Sequence, residues 1–261
     1  MPEARQGIPH HLIDVCNPDA LMTAGEYARL AREALKDVTN RKKLPIVCGG
    51  TGFYLKALIE GLSPSPERDD VLRDKLAKKE AARPGAIHRI LKRLDVDAAG
   101  RIHAQDVNKS MRALEIRISS GKSAKDLMTG RRDALEGYRI LKIGLNPLRP
   151  LLHQRLNERC VRMFSSGLLD EIKSIVARGY PESSKPFEAI GYRECLALYR
   201  GEISAAEALE QSQTHSRQYA KRQLTWFRRD AEVVWLPEFG DTNAAQSSAT
   251  DLVKRFLEPV Q

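Results

Sequence analysis

At 261 residues and 29.3 kDa, with 42% hydrophobic and 30% charged residues, the chain can bury one large core or a core plus an appended domain. It holds no run of the roughly 18 apolar residues that a membrane helix needs, and the start, "MPEARQGIPHHLIDV", lacks a signal peptide's apolar run. Four cysteines (Cys16, Cys48, Cys160, Cys195) without CxxC spacing argue against a zinc ribbon or disulfide framework and suit a reducing cytosol, while a net charge of +9 favours polyanionic partners.

In chain order, "IPHHLID" places His10 and His11 side by side, where a strand would point them to opposite faces, so a paired metal site is not expected. Asp14 is read alongside them, with structural and chemical roles both open. Residues 23–43 read as a helix, with Thr23 and Glu26 in a capping-box pattern. "LPIVCGGTGFYLKALIEGL" (44–62) reads as a buried strand over Ile46-Val47-Cys48, a glycine turn, and a helix with Phe53, Leu55, Leu58 and Ile59 as its stripe. From 63 to 137 the patterns are helical, with no strand. Residues 67–133 hold 17 Lys and Arg against 11 Asp and Glu, an excess of six, which makes this stretch a basic helical insertion. Strands follow at 138–146 and 232–240, and a long helical region at 149–179 breaks near Gly167. The expected architecture is therefore α/β, with a core of residues 1–62 and 138–261 and an inserted helical domain over 63–137.

Several of these places could carry chemistry. Gly49-Gly50-Thr51-Gly52 leaves free N–H groups at a helix start, where glycines admit a ligand or backbone closely. Thr51 could equally be the N-cap of a tight turn. A P-loop reads G-x-x-x-x-G-K-[ST], and Gly121-Lys122-Ser123 does not meet it: Ile116 stands where the first glycine belongs, so Gly121 reads as a helix C-cap. Arg155, Arg159 and Arg162 share a helix face beside the stripe Leu152, Leu156, Cys160 and Met163. Such a face either grips an anion or is simply solvated. "AIGYRE" (189–194) combines a glycine turn with Tyr192 and Arg193, and "QYAKRQLTWFRR" (218–229) interleaves basic and aromatic side chains.

Taken in order, "IPHHLIDV", "VCGGTGFYLKALIEGL", "MRALEI", "LHQRLNERCVRMFSSGLLDEI", "AIGYRE" and "RQYAKRQLTWFRR" resemble successive blocks of the bacterial tRNA dimethylallyltransferase (isopentenyltransferase) family, from about Gly7 to Trp235. The resemblance implies a P-loop-kinase-like parallel core with an inserted helical domain. It implies transfer of a dimethylallyl group from dimethylallyl diphosphate to N6 of adenosine 37, flipped out of the anticodon loop. Implied partners are the anticodon stem-loop of tRNA, dimethylallyl diphosphate and Mg²⁺, with no membrane, no protein metal ligands, a monomer and a cytoplasmic setting.

By matching blocks, Arg159 takes the family arginine's place at the leaving pyrophosphate and Thr51 lies near the reaction channel. Gly49, Gly50 and Arg155 fall on the diphosphate side. Arg73, Asn108, Lys109, Arg112, Gly191, Tyr192, Arg193, Lys221, Arg222, Gln223 and Arg228 fall on the tRNA side, and Trp226 fits core packing equally well. Asn108 and Lys109 depart from the family's Q-R-x-x-R block, and Lys109 keeps the charge without the guanidinium fork.

The family also opens with a GPTxxGKT-type P-loop and a DSxxxY block whose Asp acts on N6. Ahead of Gly7 stands only "MPEARQ". The resemblance thus implies an N-terminally incomplete form, without the phosphate-cradling loop, the general base or the first sheet strands, that leaves Ile46 and Val47 without their usual cover, binds tRNA weakly at best and transfers no prenyl group. Two other readings stand beside it. One is a non-catalytic tRNA-binding remnant, and the other an adenine-nucleotide (cytokinin-type) prenyltransferase, which would need neither the insertion nor the basic C-terminal block.

Overall fold

The computed structural model describes residues 7–128 and 132–258. They form two compact units, one of residues 7–56 and 137–258 and one of Ala57–Glu136 without its undescribed residues. The second unit starts at Ala57, inside a helix.

In the first unit, α1 (Ala24–Asn40) starts where Thr23 accepts from the Glu26 N–H at 3.1 Å, as the capping pattern anticipates. Its apolar side is buried through Ala28, Ala31 and Leu35. The sheet consists of β1 (Lys142–Leu145) and β2 (Val233–Leu236), paired in parallel with Lys142 opposite Val233 and Leu145 opposite Leu236. Gly144 sits under the Trp235 ring, which fills the space a Cβ would need. Two of the three expected strands are thus present.

The third is corrected. Residues 44–48 pair with no strand among the described residues, and Ile46 is 77% exposed. Ile and Val favour a strand only where a neighbouring strand supplies ladder and cover, and among the described residues neither is at hand. Residues 8–15 likewise form no strand: Leu12 and Asp14 have positive φ, and the His10 ring nitrogen lies 2.8 Å from the Ile8 carbonyl.

The long helical region divides as expected into α8 (Arg149–Ser165) and α9 (Leu168–Ala177), with Gly167 at φ 93° between them. A short 3₁₀ turn (Lys185–Glu188) leads to α10 (Tyr192–Tyr199). Leu168, Ile172, Phe187, Cys195 and Leu196 bury one another there. The 23-residue α11 (Ala205–Phe227) opens on a capping box, Ser204 with Glu207. It packs along α8, where the Arg217 Nη1 donates to Asn157 Oδ1 at 2.6 Å and Cys160 lies 3.5 Å from Ser216. α12 (Asn243–Leu257) completes this unit.

The second unit is helical among its described residues. α2 (Gly52–Glu60) enters it, and α3 (Asp70–Ala82), α4 (Ala86–Leu94), α5 (Val96–Arg101), α6 (Val107–Ser120) and α7 (Ala124–Met128) follow. Its core is Leu76, Ile87, Leu91, Ala98, Ala99, Ala113 and Leu114. Gly121, at φ 69°, ends α6 in the left-handed region, as its reading as a C-cap requires.

Candidate RNA and diphosphate site

The glycine turn and the basic helix, distant in sequence, meet in the first unit. The hydroxyl of Thr51 lies 3.5 Å from that of Tyr219. The side-chain amide of Gln223 fills the space of a Cβ at Gly50, and the Trp226 indole does the same at Gly52. Tyr219, Gln223 and Trp226 fall at i, i+4 and i+7, so one face of α11 rests on the turn. Glycine is needed at 50 and 52 because α11 approaches, whereas a Cβ at Gly49 would meet no atom of the described residues within 4 Å. The Thr51 carbonyl accepts from the Tyr54 and Leu55 N–H groups and starts α2, while its hydroxyl turns to Tyr219.

The adjoining face of α11 is a shallow groove lined by Gln218, Lys221, Arg222, Thr225, Trp226 and Arg229. The Arg222 guanidinium stands 5.5 Å from the centre of the Tyr219 ring, a cation–π arrangement. Trp226 is 42% exposed, so core packing describes only the edge that meets Gly52. Arg228 turns away from the groove and donates to Asn146 Oδ1 at 3.3 Å. Such a surface offers cations for phosphates and flat faces for bases.

On α8 the three arginines part company. Arg155 donates from both Nη atoms to Asp241, at 2.8 and 2.5 Å, and lies 4.6 Å above the Phe239 ring. The Asp241 hydrogen bond raises the Arg155 pKa further. Arg155 is thus engaged in this structure by an exposed carboxylate, in a pair open to solvent on both sides. Arg159 and Arg162 are exposed and find no partner among the described residues.

"AIGYRE" is held by a residue that the sequence reading passed over. Glu194, 1% exposed, accepts from the Gly191 N–H at 2.7 Å and from Arg193 at 2.8 Å, with a His215 ring nitrogen also at 2.8 Å. Burial pushes its pKa up, but these bonds outweigh burial and hold it below the ordinary value. Tyr192 donates to Glu171 at 2.6 Å, and burial together with that carboxylate pushes its phenol up to about 12. Gly191, Tyr192 and Arg193 therefore form one bonded corner, and the hydroxyl of Tyr192 is engaged by the exposed Glu171 at its surface.

Arg73, Asn108, Lys109 and Arg112 belong to the helical unit. Arg73 and Arg112 both grip Glu115, whose side chain is fully buried. Arg112 also donates to Ser65 Oγ at 2.8 Å and to the Pro66 carbonyl at 2.9 Å. Burial opposes the Glu115 charge, yet bonds from Arg73, Arg112 and the Asp69 N–H bring its pKa down to about 2. The two arginines serve this carboxylate, while Asn108 and Lys109 are exposed at the start of α6 and Lys109 reaches Asp106 at 2.6 Å. Glu115 had one legible signal, its place between the buried Leu114 and Ile116.

A family model described as IPP transferase matches residues 1–230. The chain belongs to the IPP transferase family. Within that family it is 50% identical over 253 residues to a tRNA dimethylallyltransferase of Solibacter usitatus, covering 97% of this chain and 82% of that one. It is 47% identical, with the same coverage, to the Koribacter versatilis enzyme of that name. Among solved structures, a tRNA delta(2)-isopentenylpyrophosphate transferase of Staphylococcus epidermidis superposes with a TM-score of 0.65 at 32% identity, over 98% of this chain and 84% of that one. A eukaryotic dimethylallyltransferase acting on tRNA gives 0.77 at 26% identity, over 99% and 68%. The IPP transferase fold thus includes this chain's helices and small parallel sheet, and no helix among the described residues is long and apolar enough to cross a membrane.

Proposed function

We propose that this protein transfers the dimethylallyl group of dimethylallyl diphosphate to N6 of adenosine 37 of tRNA, beside the anticodon. The observation that carries the reading is the packing of the glycine turn 49–52 against a helix whose neighbouring face bears Lys221, Arg222 and Trp226, with Arg229 just past its end. A reaction that joins a small diphosphate to a large RNA needs both surfaces side by side. The N6 lone pair attacks the allylic carbon, the carbon–oxygen bond breaks, and pyrophosphate leaves with that electron pair. N6 then loses a proton to the departing pyrophosphate or to water.

Negative charge grows on the departing pyrophosphate, so an uncommitted cation lowers the barrier. Arg159, exposed on α8 with no partner among the described residues, suits that role better than Arg155, which Asp241 engages. The space at Gly49, open among the described residues, suits a bound phosphate, and Thr51 stands next to it. No three His, Cys, Asp or Glu side chains among the described residues gather into a metal site. Mg²⁺ needs no dedicated protein cage and would be held chiefly by the diphosphate and water, where it would offset charge on the leaving group.

On the RNA side, Lys221 and Arg222 contact backbone phosphates of the anticodon stem-loop, and Gln223 supports them by bracing the turn. Asn108 and Lys109 supply a second contact from the inserted domain. Arg73, Arg112 and Arg193 act through the carboxylates they hold. The protein is read as a cytoplasmic monomer.

The reading is tested with protein isolated from its native source, unmodified tRNA and dimethylallyl diphosphate, followed by mass analysis of the digested RNA. Dimethylallyl-adenosine adjacent to the anticodon is the expected product. RNA that is bound but left unmodified would instead favour a non-catalytic tRNA-binding role, and modification of free adenine nucleotides alone would favour the cytokinin-type reaction.

A further inference from the structure

Trp226 belongs to two surfaces at once. It closes the row Tyr219, Gln223, Trp226 that rests on the turn, and it lines the groove with Lys221, Arg222 and Arg229. The two contacts with the turn differ in stiffness. Over Gly50 the nearest atoms are the terminal amide of Gln223, which could swing aside at little cost. At Gly52 the nearest atoms are Cγ, Cδ1 and Nε1 of the indole, the root of a rigid bicycle. Moving them means turning the whole ring or shifting the start of α2.

Gly52 therefore decides where the indole stands. The ring's exposed part projects into a groove edged with cations, where a base would stack. Stacking depends on the orientation of the flat face, and that orientation is set here by a residue outside the groove.

We infer that Trp226 is a positioning residue for RNA recognition, with Gly52 as its required counterpart. The missing Cβ at Gly52 lets the indole edge dock on the turn, and this fixes the flat face that a nucleobase meets. The inference rests on the reading of α11 as the RNA-facing helix. It also ties the two sites together, because anything that shifts the turn at Gly52 shifts the stacking face.

The test uses the full chain and a labelled anticodon stem-loop RNA, with binding followed by fluorescence anisotropy over a range of salt concentrations. Gly52→Ala should weaken binding about tenfold while leaving the slope of log K against log salt unchanged, because no phosphate contact is lost. Lys221→Ala should lower that slope by about one. Gly52→Ala combined with Trp226→Phe should recover part of the loss, since the smaller ring lacks the pyrrole that meets the new methyl. Wild-type affinity in Gly52→Ala, or a slope that falls with the affinity, would overturn the inference. Failure of the wild-type chain to bind the RNA at any salt would overturn the RNA reading itself, and the inference with it.

Should Gly52→Ala not fold, acrylamide quenching of Trp226 decides. It is read as the difference between the wild type and Trp226→Phe. Protection of that signal on adding RNA is expected, and no protection would overturn the inference.

Discussion

Arg73 and Glu115 meet in a two-point ion pair in the helical unit, with Nε and Nη2 each donating at 2.8 Å to a different carboxylate oxygen. Arg112 and the Asp69 N–H complete the ring of donors around a carboxylate with no solvent exposure. Taking away the carboxylate charge would leave two guanidiniums facing each other without a counterion.

Glu115→Gln is therefore expected to cost about 3–5 kcal/mol, the usual loss when one partner of a buried pair is removed. The pH dependence follows from the direction of the shift. The folded pKa of about 2 lies below the ordinary 4.5, so the stabilisation is complete above about pH 4.5 and fades as pH falls towards 2. Urea melts of wild type and Glu115→Gln should differ widely at pH 7 and converge in acid. A gap of constant size across that range would refute the assignment.

Asp241 masks Arg155 on α8. Asp241→Asn should leave the fold intact, since both side chains are substantially exposed. It should also steepen the salt dependence of RNA binding, because one more guanidinium becomes available to phosphate. An unchanged slope would place Arg155 away from the RNA.

Gly191 starts α10 at φ 95°, a backbone region that side chains rarely adopt, and a Cβ there would lie 3.1 Å from the Met163 methyl. Gly191→Ala should destabilise the protein by about 1–3 kcal/mol, seen as a lowered melting temperature. Glu194→Ala should loosen the same corner by removing the acceptor of the Gly191 N–H. Full stability in both variants would show that the corner tolerates other geometries.

Local rules made much of this legible. Thr23, Gly121 and Gly167 mark helix ends because capping and positive φ are decided within a few residues. The break between α8 and α9 and the two paired strands were readable for the same reason. What was not legible depends on neighbours distant in sequence. Ile46 and Val47 have strand chemistry but no partner strand among the described residues, so propensity alone misled. Arg73 and Arg112 carry the charge expected of RNA contacts, and only the fold discloses Glu115 between them. The glycines at 50 and 52 suggested space for a ligand, and the space is filled by Gln223 and Trp226. Resemblance placed α11 on the RNA side, but not the division of its surface into a bracing face and a groove.

The most direct test of the account is ultraviolet crosslinking of an anticodon stem-loop RNA to the full chain, with the crosslinked peptides mapped by mass spectrometry. The account predicts adducts within residues 218–229, centred on Trp226 and its groove neighbours. Adducts confined to other segments, with 218–229 unmarked while the RNA is bound, would contradict it.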